Sequence, residues 1–136
     1  MLHLEIVTPE KKVLSEKVSD VYLPAAEGEI GVLDLHAALV TALAPGELRY
    51  QKDGASHELA IGSGFAEVSD DKITILTDMA LGEAEIDEAT AQAAVERAEE
   101  ALKGLDHSKD LEELAHLQGV IAQNLAKINL KRKRRV

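Results

Sequence analysis

Turn-forming residues punctuate this chain as far as residue 64 and then become rare. Pro9, Gly28, Gly31, Pro45-Gly46, Gly54, Gly62 and Gly64 divide the first part into short apolar segments. Residues 87–103 hold neither Gly nor Pro and are rich in alanine. Short segments between turns suit strands, and a long stretch without breakers suits a helix. The expected fold is an all-β sandwich or barrel over residues 1–85, followed by a C-terminal antiparallel α-helical hairpin over residues 86–136. Alternating strand–helix units are not expected.

Within the β part, Leu2, Leu4 and Ile6 alternate with His3, Glu5 and Val7, the period of a strand with one buried face. Residues 18–24 repeat the alternation and are expected as one strand. Residues 47–51 and 56–61 flank Lys52-Asp53-Gly54, where Asp-Gly supplies positive φ at low cost, so a hairpin is expected. Residues 65–69 and 73–77 flank Asp70-Asp71 as a second hairpin. Gly62-Ser63-Gly64 lies between strands, so it reads as a turn or bulge and not as a phosphate loop ahead of a helix.

In the helical part, Asp87 is a candidate N-cap, Glu88 suits the positive helix end, and Gly104 is a stop. Ala91, Ala94, Ala98, Ala101 and Leu102 form a narrow stripe that lets another helix approach closely. A second helix starts at Asp110, with Glu113 three residues on in an acidic capping-box pattern. Its seam is Leu111, Leu114, Leu117, Ile121, Leu125 and Ile128. One such seam, worth about 5–10 kcal/mol when buried, gives the hairpin little core of its own. It is expected to lie against the β part or a partner, with modest contacts choosing between them.

Charge separates along the chain. Residues 1–85 carry 16 acids and 6 bases, and residues 86–126 carry 9 acids and 3 bases. Lys127, Lys131, Arg132, Lys133, Arg134 and Arg135 then close the chain with no acid among them. The total of −10 argues against general nucleic-acid affinity. On a helix continuing from the seam, the cations would sit at the end of an arm about 30 Å long. A cationic tip of that kind suits docking on an acidic surface.

Most chemistry is excluded. Phe65, Tyr22 and Tyr50 are the only aromatics, too few for a stacking platform. The lack of cysteine removes disulfides, thiolate zinc sites and cysteine nucleophiles. His3, His36, His57, His107 and His116 show no metal-ligand spacing. No serine sits in a nucleophile elbow. No catalytic residue and no metal site are therefore expected. No run reaches the roughly 18 apolar residues of a membrane-spanning helix, and Met1-Leu2-His3-Leu4-Glu5 lacks a signal-peptide pattern, so a soluble chain is expected. The competing reading is a free-standing β-sandwich that binds a ligand or metal and dimerises through its hairpin.

Several motifs in fixed order resemble the epsilon subunit of F-type ATP synthases, named delta in mitochondria. Leu4-Glu5-Ile6-Val7-Thr8-Pro9 is similar to the family's first strand and turn. Glu27-Gly28-Glu29-Ile30-Gly31-Val32, His36-Ala37, and Leu39-Val40-Thr41-Ala42-Leu43 with Pro45-Gly46 are similar to its central signature. Gly62-Ser63-Gly64-Phe65-Ala66-Glu67-Val68, Ile73-Thr74-Ile75-Leu76-Thr77-Asp78-Met79-Ala80 and Ile86-Asp87-Glu88-Ala89 follow in the family's order.

The resemblance implies a non-catalytic central-stalk subunit of a proton-translocating enzyme, its sandwich wedged between the gamma subunit and the c-ring. It implies that Glu29, Asp34 and His36 face gamma and the c-ring. It implies a hairpin that either folds on the sandwich or extends beside gamma into the catalytic head. Extended, the hairpin blocks ATP hydrolysis, with Lys127, Lys131, Arg132, Lys133, Arg134 and Arg135 meeting the alpha and beta subunits. It further implies a peripheral place at the cytoplasmic face of the bacterial plasma membrane, through the complex alone, and no nucleic-acid partner.

Two departures stand out. The family's Pro-Gly before His36 and Pro after Ala37 are here Asp34-Leu35 and Ala38, which is expected to change that turn's backbone. Its ATP-binding members carry Ile-Asp-x-x-Arg-Ala and arginines on the second helix. Here Thr90 stands in place of the motif arginine, and residues 111–126 hold no Arg or Lys. Asp87 and Arg97 are left as nucleotide-binding candidates. No cofactor is expected, and ATP binding should be weak or absent, because phosphate meets one arginine where a cluster is needed. Calorimetry on the isolated chain should detect no micromolar ATP binding.

Overall fold

The alternation of residues 2–6 is realised as a strand that buries Leu2, Leu4 and Ile6 completely. It opens a sequence of ten strands in the computed structural model, which describes residues 1–134. These are β1 Leu2–Val7, β2 Lys12–Val18, β3 Asp20–Ala25, β4 Gly28–Val32, β5 Leu39–Leu43, β6 Gly46–Lys52, β7 Ala55–Ile61, β8 Gly64–Ser69, β9 Lys72–Thr77 and β10 Ala80–Gly82. A 3-10 turn, Glu83–Glu85, leads to helices α1, Glu88–Lys103, and α2, Leu111–Arg134.

The strands pair in the order β10-β7-β6-β3-β5-β8-β9-β1-β2, with β4 beside β3, and close into a near-barrel sandwich. Neighbours are antiparallel, apart from β1 beside β9. The interior is aliphatic, formed by Leu2, Leu4, Ile6, Val18, Leu48 and Ile75 with their neighbours.

Both expected hairpins form. Asp53 (φ 53°) with Gly54 (φ 78°), and Asp70 (φ 51°) with Asp71 (φ 58°), are left-handed at both central positions. That geometry matches the twist of the strands it joins, and aspartate tolerates it better than bulkier residues. Gly64 lies so close to β9 that a Cβ there would collide with the Leu76 carbonyl.

Residues 18–24 are not one strand. β2 ends at Val18, β3 begins at Asp20, and Ser19 between them donates its N–H (2.9 Å) and Oγ (3.2 Å) to the Gln51 carbonyl. The break lets Val18 and Val21, three residues apart, both enter the core, which an unbroken period of two forbids. β4 was hidden because Gly28 and Gly31 look like turns, yet they lie within a paired strand.

The helical faces also differ from expectation. On α1 the buried residues are Ala91, Val95 and Ala98, while Ala94 and Leu102 are half-buried and Ala101 is exposed. On α2, Leu111 and Leu125 are exposed, and burial concentrates in Asn124, Ala126, Ile128 and Leu130. Two faces of α2 are used. Ile121 and Ile128 meet Ala91 and Val95 of α1. Ala126 and Leu130 meet Ala60, Met79, Ile86 and Leu81. A single seam cannot serve a helix wedged between another helix and a sheet, so the apolar arc widens toward its end. Asp110 has a different role from a forward cap: its carboxylate accepts the Asp106 N–H at 3.1 Å and ties the loop between the helices.

Ile75 and Leu76 are chain neighbours on opposite faces of β9, one fully buried and the other 53% exposed. Ile75→Ala should lower unfolding stability by about 2–5 kcal/mol, and Leu76→Ala by less than about 0.5 kcal/mol, in urea titrations.

Candidate functional site at the cationic end of the second helix

With 24 residues, α2 spans about 36 Å, and its cationic end lies on the body of the same chain. Lys131 Nζ is 3.1 Å from Glu83 Oε1 and also donates to the Glu83 carbonyl at 3.2 Å. Arg132 Nε donates to Glu88 Oε1 at 2.9 Å. Lys133 Nζ lies 3.1 Å from Glu58 Oε2 and 3.4 Å from Glu47 Oε2. Successive helical residues point about 100° apart, so three adjacent cations need carboxylates from three directions. The 3-10 turn, the start of α1 and the β6–β7 pair supply them.

The pairing of β6 with β7 sets the third direction. Glu47 is opposite Ala60, and Glu58 is two residues from Ala60, so all three share one face of the sheet. Ala60 is the residue that Ala126 and Leu130 cover. The Glu58 side chain is only 10% exposed. The Glu58 carboxylate beside Lys133 is the largest cause holding that ammonium above its ordinary pKa of 10.5. A raised lysine contributes its stabilisation fully below the unfolded value and loses it as pH climbs through the folded one. Lys133 therefore stays paired across the neutral range. Further back along α2, Gln123 Nε2 donates to Asp78 Oδ1 at 3.2 Å, beside Gly62, where a side chain would strike both groups.

Lys127 is half-buried and forms no ion pair among the described residues. The side chain of Arg134 and the whole of Arg135 lie outside the described residues.

Glu29, Asp34 and His36 do not converge. Glu29 is the second residue of β4 and pairs with Pro24, whereas the Asp34–His36 turn follows the strand's far end at Val32. About 10 Å of strand separates them. Arg49 Nη2 donates to both Glu29 oxygens, at 3.2 and 3.3 Å, while its guanidinium lies 4.8 Å from the Tyr22 ring centre. Asp34 Oδ1 is 3.1 Å from the α-amino group of Met1. His36 Nδ1 is 2.7 Å from the Ala37 carbonyl, which accepts from the ring N–H. Leu35 takes the left-handed conformation (φ 64°) that a glycine would adopt freely, and it is 87% exposed. Asp71 Oδ1 holds that turn by accepting the Leu35 N–H at 2.8 Å.

The nucleotide candidates are also apart. Asp87 caps α1, its carboxylate accepting from the Thr90 N–H at 3.3 Å and Oγ at 3.0 Å. Those bonds, the backbone one foremost, hold its carboxyl below the ordinary value. Arg97 is exposed about 15 Å along the helix. A groove of about 550 Å³ between α2 and the turns flanking β3 and β6 is lined by Pro24, Pro45, Leu125 and Asn129 with Glu29 and Glu47, and by no cation. Among the described residues no group of His, Asp and Glu gathers to hold a metal, and no helix is long and apolar enough to cross a membrane.

A surface not singled out by sequence crosses the outer face of β5, β8 and β9. Phe65 is paired directly with Leu76, and Val40 lies on the same face two residues from the partner of Phe65. All three are exposed. The signal was present in parity: Ala66, Val68, Ile73 and Ile75 are buried, so Phe65 and Leu76 had to face outward.

Comparison with known proteins gives a consistent picture. Residues 1–83 match the family described as ATP synthase, delta/epsilon chain, β-sandwich domain. The ATP synthase epsilon chain of Citrifermentans bemidjiense is 50% identical over 104 residues, covering 76% of this chain and 75% of its own length. That of Nitratidesulfovibrio vulgaris is 42% identical over 130 residues, covering 96% and 95%. A chain in the cryo-EM structure of Euglena gracilis mitochondrial ATP synthase, comprising OSCP, F1 and c-ring, superposes with a TM-score of 0.77 at 26% identity, covering 92% of this chain and 78% of that one. A chain from the central stalk and c-ring of Tetrahymena thermophila mitochondrial ATP synthase shares the fold, with a TM-score of 0.58 at 14% identity and coverage of 99% and 96%.

Leu35→Gly should relieve left-handed strain and stabilise the isolated chain by about 1 kcal/mol, read as a higher midpoint in thermal denaturation.

Proposed function

This chain belongs to the ATP synthase delta/epsilon family, and from that premise we propose that it is the non-catalytic epsilon subunit of the central stalk. There it links the gamma shaft to the c-ring of a proton-translocating enzyme. The sandwich is the rigid coupling piece, and the exposed strip of Val40, Phe65 and Leu76 gives it an apolar face of the kind that marks a protein contact. Glu29, Asp34 and His36 serve as contacts to gamma and the c-ring, on two separate parts of the surface. The subunit is peripheral, held at the cytoplasmic face of the bacterial plasma membrane by the complex.

The observation that carries the regulatory part is the placement of Lys131, Arg132 and Lys133 at the free end of a long helix, each seated on carboxylates. Cations that accept an acidic cradle on their own chain suit acidic segments of the catalytic head equally well. With the hairpin extended, Lys127 and the six-residue end meet the alpha and beta subunits and block ATP hydrolysis. Nucleotide is not the proposed ligand. Asp87 is engaged as a helix cap, and Lys131, Arg132 and Lys133 already have partners.

Two measurements test this reading. The chain should co-purify with a gamma subunit in stoichiometric amount and enter an ATPase assembly. Deleting residues 131–136 should raise ATP hydrolysis by the assembled enzyme and change synthesis less. Unaltered hydrolysis would remove the inhibitory role and leave the stalk assignment standing.

A further inference from the structure

We propose that Glu47, Glu58, Glu83 and Glu88 form an internal receptor for the end of α2. It acts as an electrostatic clasp that keeps the hairpin docked and withholds Lys131, Arg132 and Lys133 from any acidic partner. The inference deepens the regulatory reading above and rests on it for its role in the assembled enzyme. The clasp itself is a property of the lone chain.

Three observations lead to it. First, the apolar contact between α2 and the sandwich is small: Ala126 and Leu130 enter the cluster of Ala60, Met79 and Ile86. Small contacts leave the balance between docked and free to the polar groups around them. Second, each of the three consecutive cations meets a carboxylate from a different element, so the cradle fits one position of the helix end. A one-residue rotation would break all the pairs together. Third, Glu58 is nearly buried and faces the side that α2 covers. When the helix leaves, Glu58 returns to water, so opening strands no buried charge. The cradle is thus reversible, and it must open before the same cations can serve elsewhere.

The clasp predicts opposite effects for its two halves. Neutralising the glutamates frees the tip intact, whereas deleting the tip removes both its internal and its external contacts. The chain has no cysteine, so one placed by Ala126→Cys, on the buried face of the docked helix, reports undocking by its rate of thiol labelling in the otherwise complete chain. Raising salt from about 0.02 to about 0.5 M, which shortens the screening length to under ~5 Å, should speed labelling about five- to tenfold. Glu47→Gln with Glu58→Gln should speed labelling at low salt and shrink the salt response to what the Lys131–Glu83 and Arg132–Glu88 pairs still supply. Glu83→Lys and Lys131→Glu should each speed labelling, and together restore the slow rate. Hydrogen exchange in β8 and β9 should stay unchanged in all of these and so exclude global unfolding. If a Gln variant disturbs that exchange, the charge-reversal pair decides. Labelling indifferent to salt, or a charge-reversal pair that fails to recover the slow rate, would overturn the clasp. In the assembled enzyme, Glu47→Gln with Glu58→Gln should deepen inhibition two- to fivefold, opposite in sign to tip deletion. A silent tip deletion beside salt-sensitive labelling would refute the inhibitory reading and keep the clasp.

Discussion

The seating of Leu130 and Ala126 on Ala60 is the contact on which the rest of the arrangement depends. It fixes which way α2 lies across the sandwich, and the β6–β7 register then decides what surrounds the seat. Because side chains alternate along a strand, the face that offers Ala60 to the helix also offers Glu47 and Glu58. A shift of β7 by one residue in that pairing would turn Glu58 and Ala60 to the opposite face from Glu47 and split the cradle of Lys133. The Asp53-Gly54 turn, with two left-handed residues, holds the register in place. A backbone preference at one end of a hairpin thus governs an ion-pair cradle at the other.

The two parts of the molecule are built for different rigidity. The sandwich has one continuous aliphatic core, with Leu2, Leu4, Ile6, Leu48 and Ile75 fully buried. The hairpin is tied to it by a small apolar cluster, the Gln123–Asp78 hydrogen bond and the charged end. Between the helices, alanines and Val95 let α1 and α2 approach closely around Ile128. A hairpin that coheres better than it adheres is suited to moving as a unit. The sandwich is suited to staying as it is.

Reading the cationic end as a docking element was possible from sequence, because six bases without an acid cannot build a core. Its nearest partner was not legible. Glu47, Glu58, Glu83 and Glu88 are scattered over some forty positions among 25 acids, and nothing local distinguishes them. The same limit applies to Glu29 and His36, which are seven positions apart in sequence yet sit at the two ends of a strand. Val95 escaped notice because the alanine stripe drew the face one position away. The Ser19 break escaped because a kink that rescues two buried residues leaves the apolar pattern almost intact.

Periodicity and turn chemistry by themselves determined the class of fold, the two aspartate-bearing hairpins, the cap at Asp87 and the polarity of charge along the chain. These are short-range properties, set by sterics and side-chain spacing within a few residues. Only tertiary structure decided that α2 would use two faces, that Phe65 and Leu76 would meet on an outer surface, and that Lys131, Arg132 and Lys133 would find carboxylates on their own chain. Those outcomes join residues far apart in sequence, and strand order and pairing register fix them through the packing of the whole domain.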